Sequence, residues 1–150
     1  MIVEAQININ GSKEAIWAVI TNIENAAAFT SGIEKIEIVD KPTIGIVGLR
    51  WRETRILFGK PATVEKWITE AVENQYYKTQ AEDGGFLFLT TKSLSAEGGS
   101  VKLTEAHESK PQGFVSKIMS IPMVLFFKGV IRKALLKDLV DIKAEVEKNG

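Results

Sequence analysis

Two hydrophobic periods, one following the other, constrain this chain more than any other feature. From Ile33 to Glu108 the residues run in short strand-like segments broken by turn residues, and from Val115 to Val146 the repeat lengthens to that of a helix. The strand-like segments are Ile33 to Val39, Leu49 to Phe58, Ala62 to Ala71, Gln75 to Ala81, Gly85 to Ser95 and Ser100 to Glu108. Pro42, Gly45 and Gly48 separate the first two, followed by Gly59-Lys60-Pro61, Glu73-Asn74, Asp83-Gly84 and Gly98-Gly99. Links this short join antiparallel neighbours, because a parallel crossover needs about a dozen residues or more. The middle of the chain therefore reads as a meander.

Ahead of it, Val3, Ala5, Ile7 and Ile9 alternate with Glu4, Gln6 and Asn8, the period of a half-buried strand. Ser12 can cap a helix carrying Ala15, Ile16, Val19 and Ile20, and Thr21 with Glu24 forms a T-x-x-E capping box that predicts a second short helix. After Pro111 and Gly113 the apolar stripe Val115, Ile118, Met119, Val124, Phe127, Ile131, Leu135, Leu139, Ile142 and Val146 opposes Lys133, Lys137, Lys143 and Glu147. Pro122 is expected to kink or divide this helix, and Asn149-Gly150 to end it. The fold class is α+β: a seven-stranded antiparallel sheet wrapped around one long C-terminal helix, in a single domain of residues 1–150. A single helix cannot cover the whole concave face of so large a twisted sheet, so a cavity is expected beside it.

Composition narrows the function. Nineteen basic residues balance nineteen acidic ones, which leaves no overall field to concentrate the protein on nucleic acid. There is one histidine and no cysteine, so thiolate chemistry, disulfides and a metal site are not expected, and no cofactor is. The glycines form neither G-x-G-x-x-G nor a P-loop, and no G-x-S-x-G elbow is present. The start lacks a basic region followed by an apolar stretch, so a cytoplasmic location is expected. The apolar run from Ile121 to Phe127 is far short of the roughly 20 residues that span a bilayer.

The order strand, two short helices, six strands, long helix resembles the helix-grip superfamily of the birch-pollen allergen and START domains. The segments Ile9-Asn10-Gly11-Ser12 and Ile16-Trp17-Ala18-Val19-Ile20-Thr21-Asn22-Ile23, with Phe29 following, look like the opening of its polyketide cyclase/dehydrase-like (SRPBCC) branch. The run Gly48-Leu49-Arg50-Trp51-Arg52-Glu53-Thr54-Arg55 is similar to that branch's third strand, and Gly98-Gly99-Ser100 to its last turn. The resemblance implies a fold; its members include binders, transporters, cyclases and partner-binding modules, so it does not by itself imply one activity.

The expected cavity lining is Phe29, Trp51, Glu53, Arg55, Tyr77, Phe86, Phe88, Leu103, Glu105, His107, Phe114, Ile118 and Phe126. Each polar member has a plainer reading beside it. Trp51, Glu53, Arg55 and Leu57 share one face of the third strand, where Glu53 and Arg55 either serve a ligand's polar end or, the preferred reading, form cross-strand ion pairs on a solvated face. Glu105 and His107 continue the face of Val101 and Leu103, and either form an acid/base pair or, again preferred, sit wet at a strand end. Trp17 and Phe29 are read first as core aromatics and second as cavity wall. The leading functional expectation is a binder or carrier of an apolar or amphipathic small molecule, in effect a lipid-binding cavity. Its rivals are a polyketide cyclase or dehydratase-like enzyme using Glu53, Arg55, Glu105 and His107, and a partner-binding module without ligand. The apolar surplus between Phe114 and Phe127 allows transient membrane contact or weak homodimerisation of an otherwise monomeric chain.

Overall fold

The computed structural model describes residues 1–148, with the side chains of residues 114–127 outside the described set. Strand β1 (Ile2–Ile9) is followed by helix α1 (Lys13–Ile20), a 3-10 turn (Ile23–Asn25) and the single-turn helix α2 (Ala26–Phe29). Then come β2 (Ile33–Asp40), β3 (Arg50–Leu57), β4 (Lys60–Val72), β5 (Tyr76–Asp83), β6 (Phe86–Glu97), β7 (Ser100–Pro111) and helix α3 (Phe114–Lys148). All seven strands form one antiparallel sheet in the order β1-β7-β6-β5-β4-β3-β2. The first strand thus closes against the last, and β2 is left at the far edge.

Local chemistry accounts for most boundaries. Ser12 Oγ accepts from the Ala15 N–H at 3.0 Å and starts α1, as expected. The capping box does not form: Thr21 Oγ1 donates back to the Trp17 carbonyl at 2.6 Å, so Thr21 ends α1 and Asn22 precedes a 3-10 turn. The β3–β4 hairpin turns at Phe58-Gly59 and not at Lys60-Pro61. Leu57 pairs with Lys60, and both turn residues have positive φ, 53° and 78°. Two left-handed residues make a turn whose twist matches the flanking strands, and Phe58 accepts the steric penalty that Gly59 avoids. Helix α3 runs as one element from Phe114 to Lys148, so Pro122 does not divide it; Asn149-Gly150 lies outside the described residues. No described helix is long and apolar enough to cross a membrane.

The described part of helix α3 packs chiefly against β1, with further contacts to β7, α1 and α2. Its Leu139, Ile142 and Val146 are buried in one cluster with Val3 and Ile9 of β1, Ile16 of α1 and Leu103 of β7. Fully burying such aliphatic side chains stabilises by about 1.5–3 kcal/mol each. This cluster fixes the helix over one half of the concave face and leaves the half nearer β3 to β6 less filled.

Candidate ligand cavity

Alternation along five neighbouring strands decides which side chains reach the concave face. They are Trp51, Glu53 and Arg55 on β3, Lys66 and Ile68 on β4, Tyr77 and Thr79 on β5, Thr90 and Lys92 on β6, and Leu103, Glu105 and His107 on β7. Between this face and α3 lies a cavity of about 320 Å³. Val19, Ile20, Ile23, Phe29, Ile33, Ile131, Leu135 and Ile142 give it apolar walls; Glu53, Arg55, Lys66, Thr79, Thr90, Lys92, Glu105 and His107 give it a polar floor. Asp138 of α3 faces that floor. Leu57 and Val130 also line it while 52% and 51% exposed, so they stand at its mouth.

The floor is held by ion pairs. Glu53, 7% exposed, receives Arg55 Nε at 2.7 Å and Lys66 Nζ at 2.9 Å on Oε2, and Trp51 Nε1 at 3.3 Å on Oε1. Arg55 then bridges the sheet to the helix, donating from its two terminal nitrogens to Asp138 Oδ1 at 3.2 Å and Oδ2 at 2.8 Å. Gly32 makes room for this bridge, since a Cβ there would lie 2.8 Å from the Arg55 guanidinium and 3.2 Å from Asp138 Oδ1. Lys92 and Glu105 form a second, looser pair at 3.4 Å, with the ammonium 5.6 Å from the Tyr77 ring centroid. Tyr77 donates to the Ile20 carbonyl at 2.9 Å and forms a T-shaped pair with Trp17, ring centroids 5.9 Å apart.

These contacts set the charge states. Burial pushes the Glu53 carboxyl up, but the charges of Lys66 and Arg55 and their hydrogen bonds outweigh it and hold the group far below the usual carboxylate range. Burial likewise opposes the charge on Lys92, and Glu105 leads the groups that overcome it and keep the ammonium charged. His107 goes the other way. Burial first, then the charges of Lys66, Lys92 and the amino terminus, push its imidazole down to about 4, so it is neutral at neutral pH. Its Nδ1 shares a hydrogen bond with Thr90 Oγ1 at 3.0 Å. Among the described residues no group of three His, Cys, Asp or Glu side chains could hold a metal ion.

An antiparallel seven-stranded sheet gripping one long helix around a cavity is an arrangement found in solved structures with very different sequences. A START superfamily protein from Mycobacterium smegmatis superposes with a TM-score of 0.79 at 16% identity, covering 99% of this chain and 99% of that one. The chain has the helix-grip fold. The di-domain ARO/CYC StfQ from the steffimycin biosynthetic pathway superposes at 0.83 with 8% identity, covering 99% of this chain and 51% of that one. Truncated norcoclaurine synthase from Thalictrum flavum superposes at 0.69 with 18% identity, over 97% and 92% of the two chains. No protein-family model matches the sequence, and no curated protein sequence matches it.

Within this helix-grip frame, Phe29, Trp51, Glu53, Arg55, Tyr77, Glu105 and His107 all line the cavity. Leu103 does not; it is fully buried in the core cluster beside it. Phe86 and Phe88 fall outside the lining and continue it as a stacked ladder, Phe86 on Phe88 at 6.1 Å and Phe88 on the His107 ring at 5.7 Å. Phe114, Ile118 and Phe126 lie outside the described side chains. Two preferred readings are overturned. The Trp51-Glu53-Arg55 face of β3 is not solvated, because that parity points under the helix. Glu105 and His107 are not at a wet strand end, because β7 continues to Pro111 with β1 and β6 paired on either side, and Glu105 is only 5% exposed. Lys66, Thr79, Thr90, Lys92 and Asp138 were not foreseen.

Proposed function

We propose that this chain binds, and in that sense carries, an apolar or amphipathic small molecule in the cavity between sheet and α3. The observation that carries the reading is an apolar-walled cavity in which the floor's charges already have partners, so it is shaped to receive a ligand more than to attack one. A buried carboxylate held far below its usual range is a weak base, and an imidazole pushed down to about 4 is a weak one too. The similar structures support a cavity-based role, since a START superfamily protein, an ARO/CYC and a synthase share this one fold. The proposed setting is the cytoplasm, which a cysteine-free chain tolerates.

A second reading, acid–base chemistry on a bound polyketide-like molecule, draws on His107, which lines the cavity as a neutral imidazole oriented by Thr90. The test of the leading reading is a titration with the neutral apolar fluorophore N-phenyl-1-naphthylamine, run with near-UV circular dichroism. One probe should bind per chain while the near-UV signal stays intact. Fluorescence that rises only as that signal is lost would remove the proposal.

A further inference from the structure

The cavity floor carries a particular balance of charge. Among the described residues its cations are Arg55, Lys66 and Lys92 and its carboxylates Glu53, Glu105 and Asp138, joined by contacts of 2.7 to 3.4 Å. Three of each sign sum to zero. An ionised ligand end group would therefore bring an uncompensated charge into a space largely shielded from water, and would have to take a counter-ion from a pair already made. A carboxylate approaching Arg55 meets Glu53 and Asp138 in the same cluster, and an ammonium approaching Glu105 meets Lys92.

One hydrogen-bonding group on that floor is left over. Glu105 Oε2 is buried and has no hydrogen-bond partner among the described residues, while Oε1 faces Lys92 at 3.4 Å. Most buried polar atoms are satisfied, so an orphan carboxylate oxygen in a cavity wall asks for a donor. Oε1, the oxygen beside Lys92, is held only by that long 3.4 Å contact and keeps lone-pair capacity for a donor. Lys92 offers three N–H donors, and the Glu105 contact takes one of them. A hydroxyl can give a proton to Glu105 and accept one of the Lys92 hydrogens; a carboxylate can only accept, and an ammonium can only donate.

We infer that the ligand is a neutral, hydroxyl-bearing apolar molecule, recognised at the Lys92–Glu105 pair, and that the carboxylate and ammonium forms of the same skeleton are rejected. This inference rests on the binding function proposed above. The test is competition at pH 7 against N-phenyl-1-naphthylamine bound to the wild-type chain, using 1-decanol, decanoate and decylammonium. Decanol should displace the probe at a concentration at least ten-fold below either ion. An ion that competes as well as decanol, or three competitors that all fail against a bound probe, overturns the selectivity and leaves the cavity reading standing. A probe that never binds removes both. Two variants sharpen the result, each checked for folding by near-UV dichroism. Glu105→Gln leaves the floor with one excess positive charge and should move the decanoate-to-decanol ratio at least ten-fold toward decanoate. Lys92→Met leaves one excess negative charge and should move it toward decylammonium. A folded variant with an unchanged ratio contradicts the assignment to this pair.

Discussion

Under Leu139 and Val146 the concave face of the sheet is packed solid, whereas on the face of α3 that carries Ile131, Leu135 and Asp138 it is hollow, with Ile142 at the boundary between the two. The same helix and the same sheet face produce both. At the solid end the facing residues Val3, Ile9, Ile16 and Leu103 are aliphatic and interdigitate freely. At the hollow end the side chains are long and ionic, and they are not free to fill space. Arg55 and Lys66 both reach Glu53, and Arg55 also reaches Asp138, so the chains are drawn to one another along the floor. Pairing, which burial of charge requires, keeps these groups from closing the gap that aliphatic residues would close.

The comparison breaks most readily at the solid end. Leu139→Ala should destabilise the chain by about 3–4 kcal/mol, the loss of a fully buried leucine plus the void it leaves. Urea unfolding measures it, and probe affinity of the folded protein should be unchanged. A small stability loss with a large loss of affinity would mean that the two ends are not separate.

At the hollow end the largest effect should come from Arg55→Met, which strands Asp138 and leaves Glu53 with Lys66 as its cation. Removing one partner of a buried pair costs about 3–5 kcal/mol, and because the Arg55 side chain is 25% exposed the expected loss is about 2–3 kcal/mol. The double variant Arg55→Met/Asp138→Leu should recover at least half of that loss, since it also removes the stranded carboxylate on the helix. No recovery would show that packing around the arginine, and not the charge, is what matters.

How far this contrast could be read in advance depends on which residues carry it. The strands and the helix were legible because their apolar periods, 2 and then 3.6, are enforced by burial at the solid end, and Ile131, Leu135, Leu139, Ile142 and Val146 fell on the stripe as expected. At the hollow end the inward positions are charged, so alternation marks a face without saying which face is inside. Trp51-Glu53-Arg55 was misread for that reason. The signals were nonetheless present. Lys66 shares its parity with Val64 and Ile68, Lys92 with Thr90 and Leu94, and Asp138 interrupts the stripe between Leu135 and Ile142. An ionic residue repeatedly set into an apolar row is the mark of a paired, buried charge, but its partner lies on another strand and only the fold brings the two together. Thr21 shows the same limit at short range, since one hydroxyl can serve either a following helix or the preceding one, and the Trp17 carbonyl won.

A smaller effect should appear in the acid dependence of stability. In the folded chain the His107 imidazole is pushed down to about 4 from its ordinary 6.5, so between those values the unfolded chain takes up a proton that the folded chain refuses. The stability contributed is therefore complete above about pH 6.5 and is lost as pH falls toward 4. Glu53 adds a loss of the same sign at lower pH, since its depressed carboxyl contributes stability above its ordinary 4.5 that disappears below it. His107→Phe, which can keep the ring ladder with Phe88, should flatten the slope between pH 6.5 and 4.5 by about 1–2 kcal/mol and leave the steeper fall below. Denaturant midpoints at several pH values read this directly. Parallel curves for the two proteins would place the histidine in water.

The smallest expected effect is the one that separates binding from catalysis. His107→Ala removes a neutral ring that lines the cavity and is itself held by Phe88 and Thr90, so a passive ligand loses only apolar contact and one hydrogen-bonding neighbour. Affinity for N-phenyl-1-naphthylamine should stay within a few-fold of wild type, about 1 kcal/mol or less. A binder needs nothing more from this residue. An enzyme would need its imidazole to exchange a proton with the bound molecule, and the removal of such a group lowers the rate by roughly 10²–10⁴-fold while binding persists. The variant should therefore be titrated with probe and assayed in parallel for conversion of a polyketide-like substrate by the wild type. Unchanged affinity with no wild-type turnover to lose is the expected result. Turnover by the wild type that falls a hundred-fold or more in the variant at equal affinity would make His107 a catalytic residue, with Thr90 as the group that orients it.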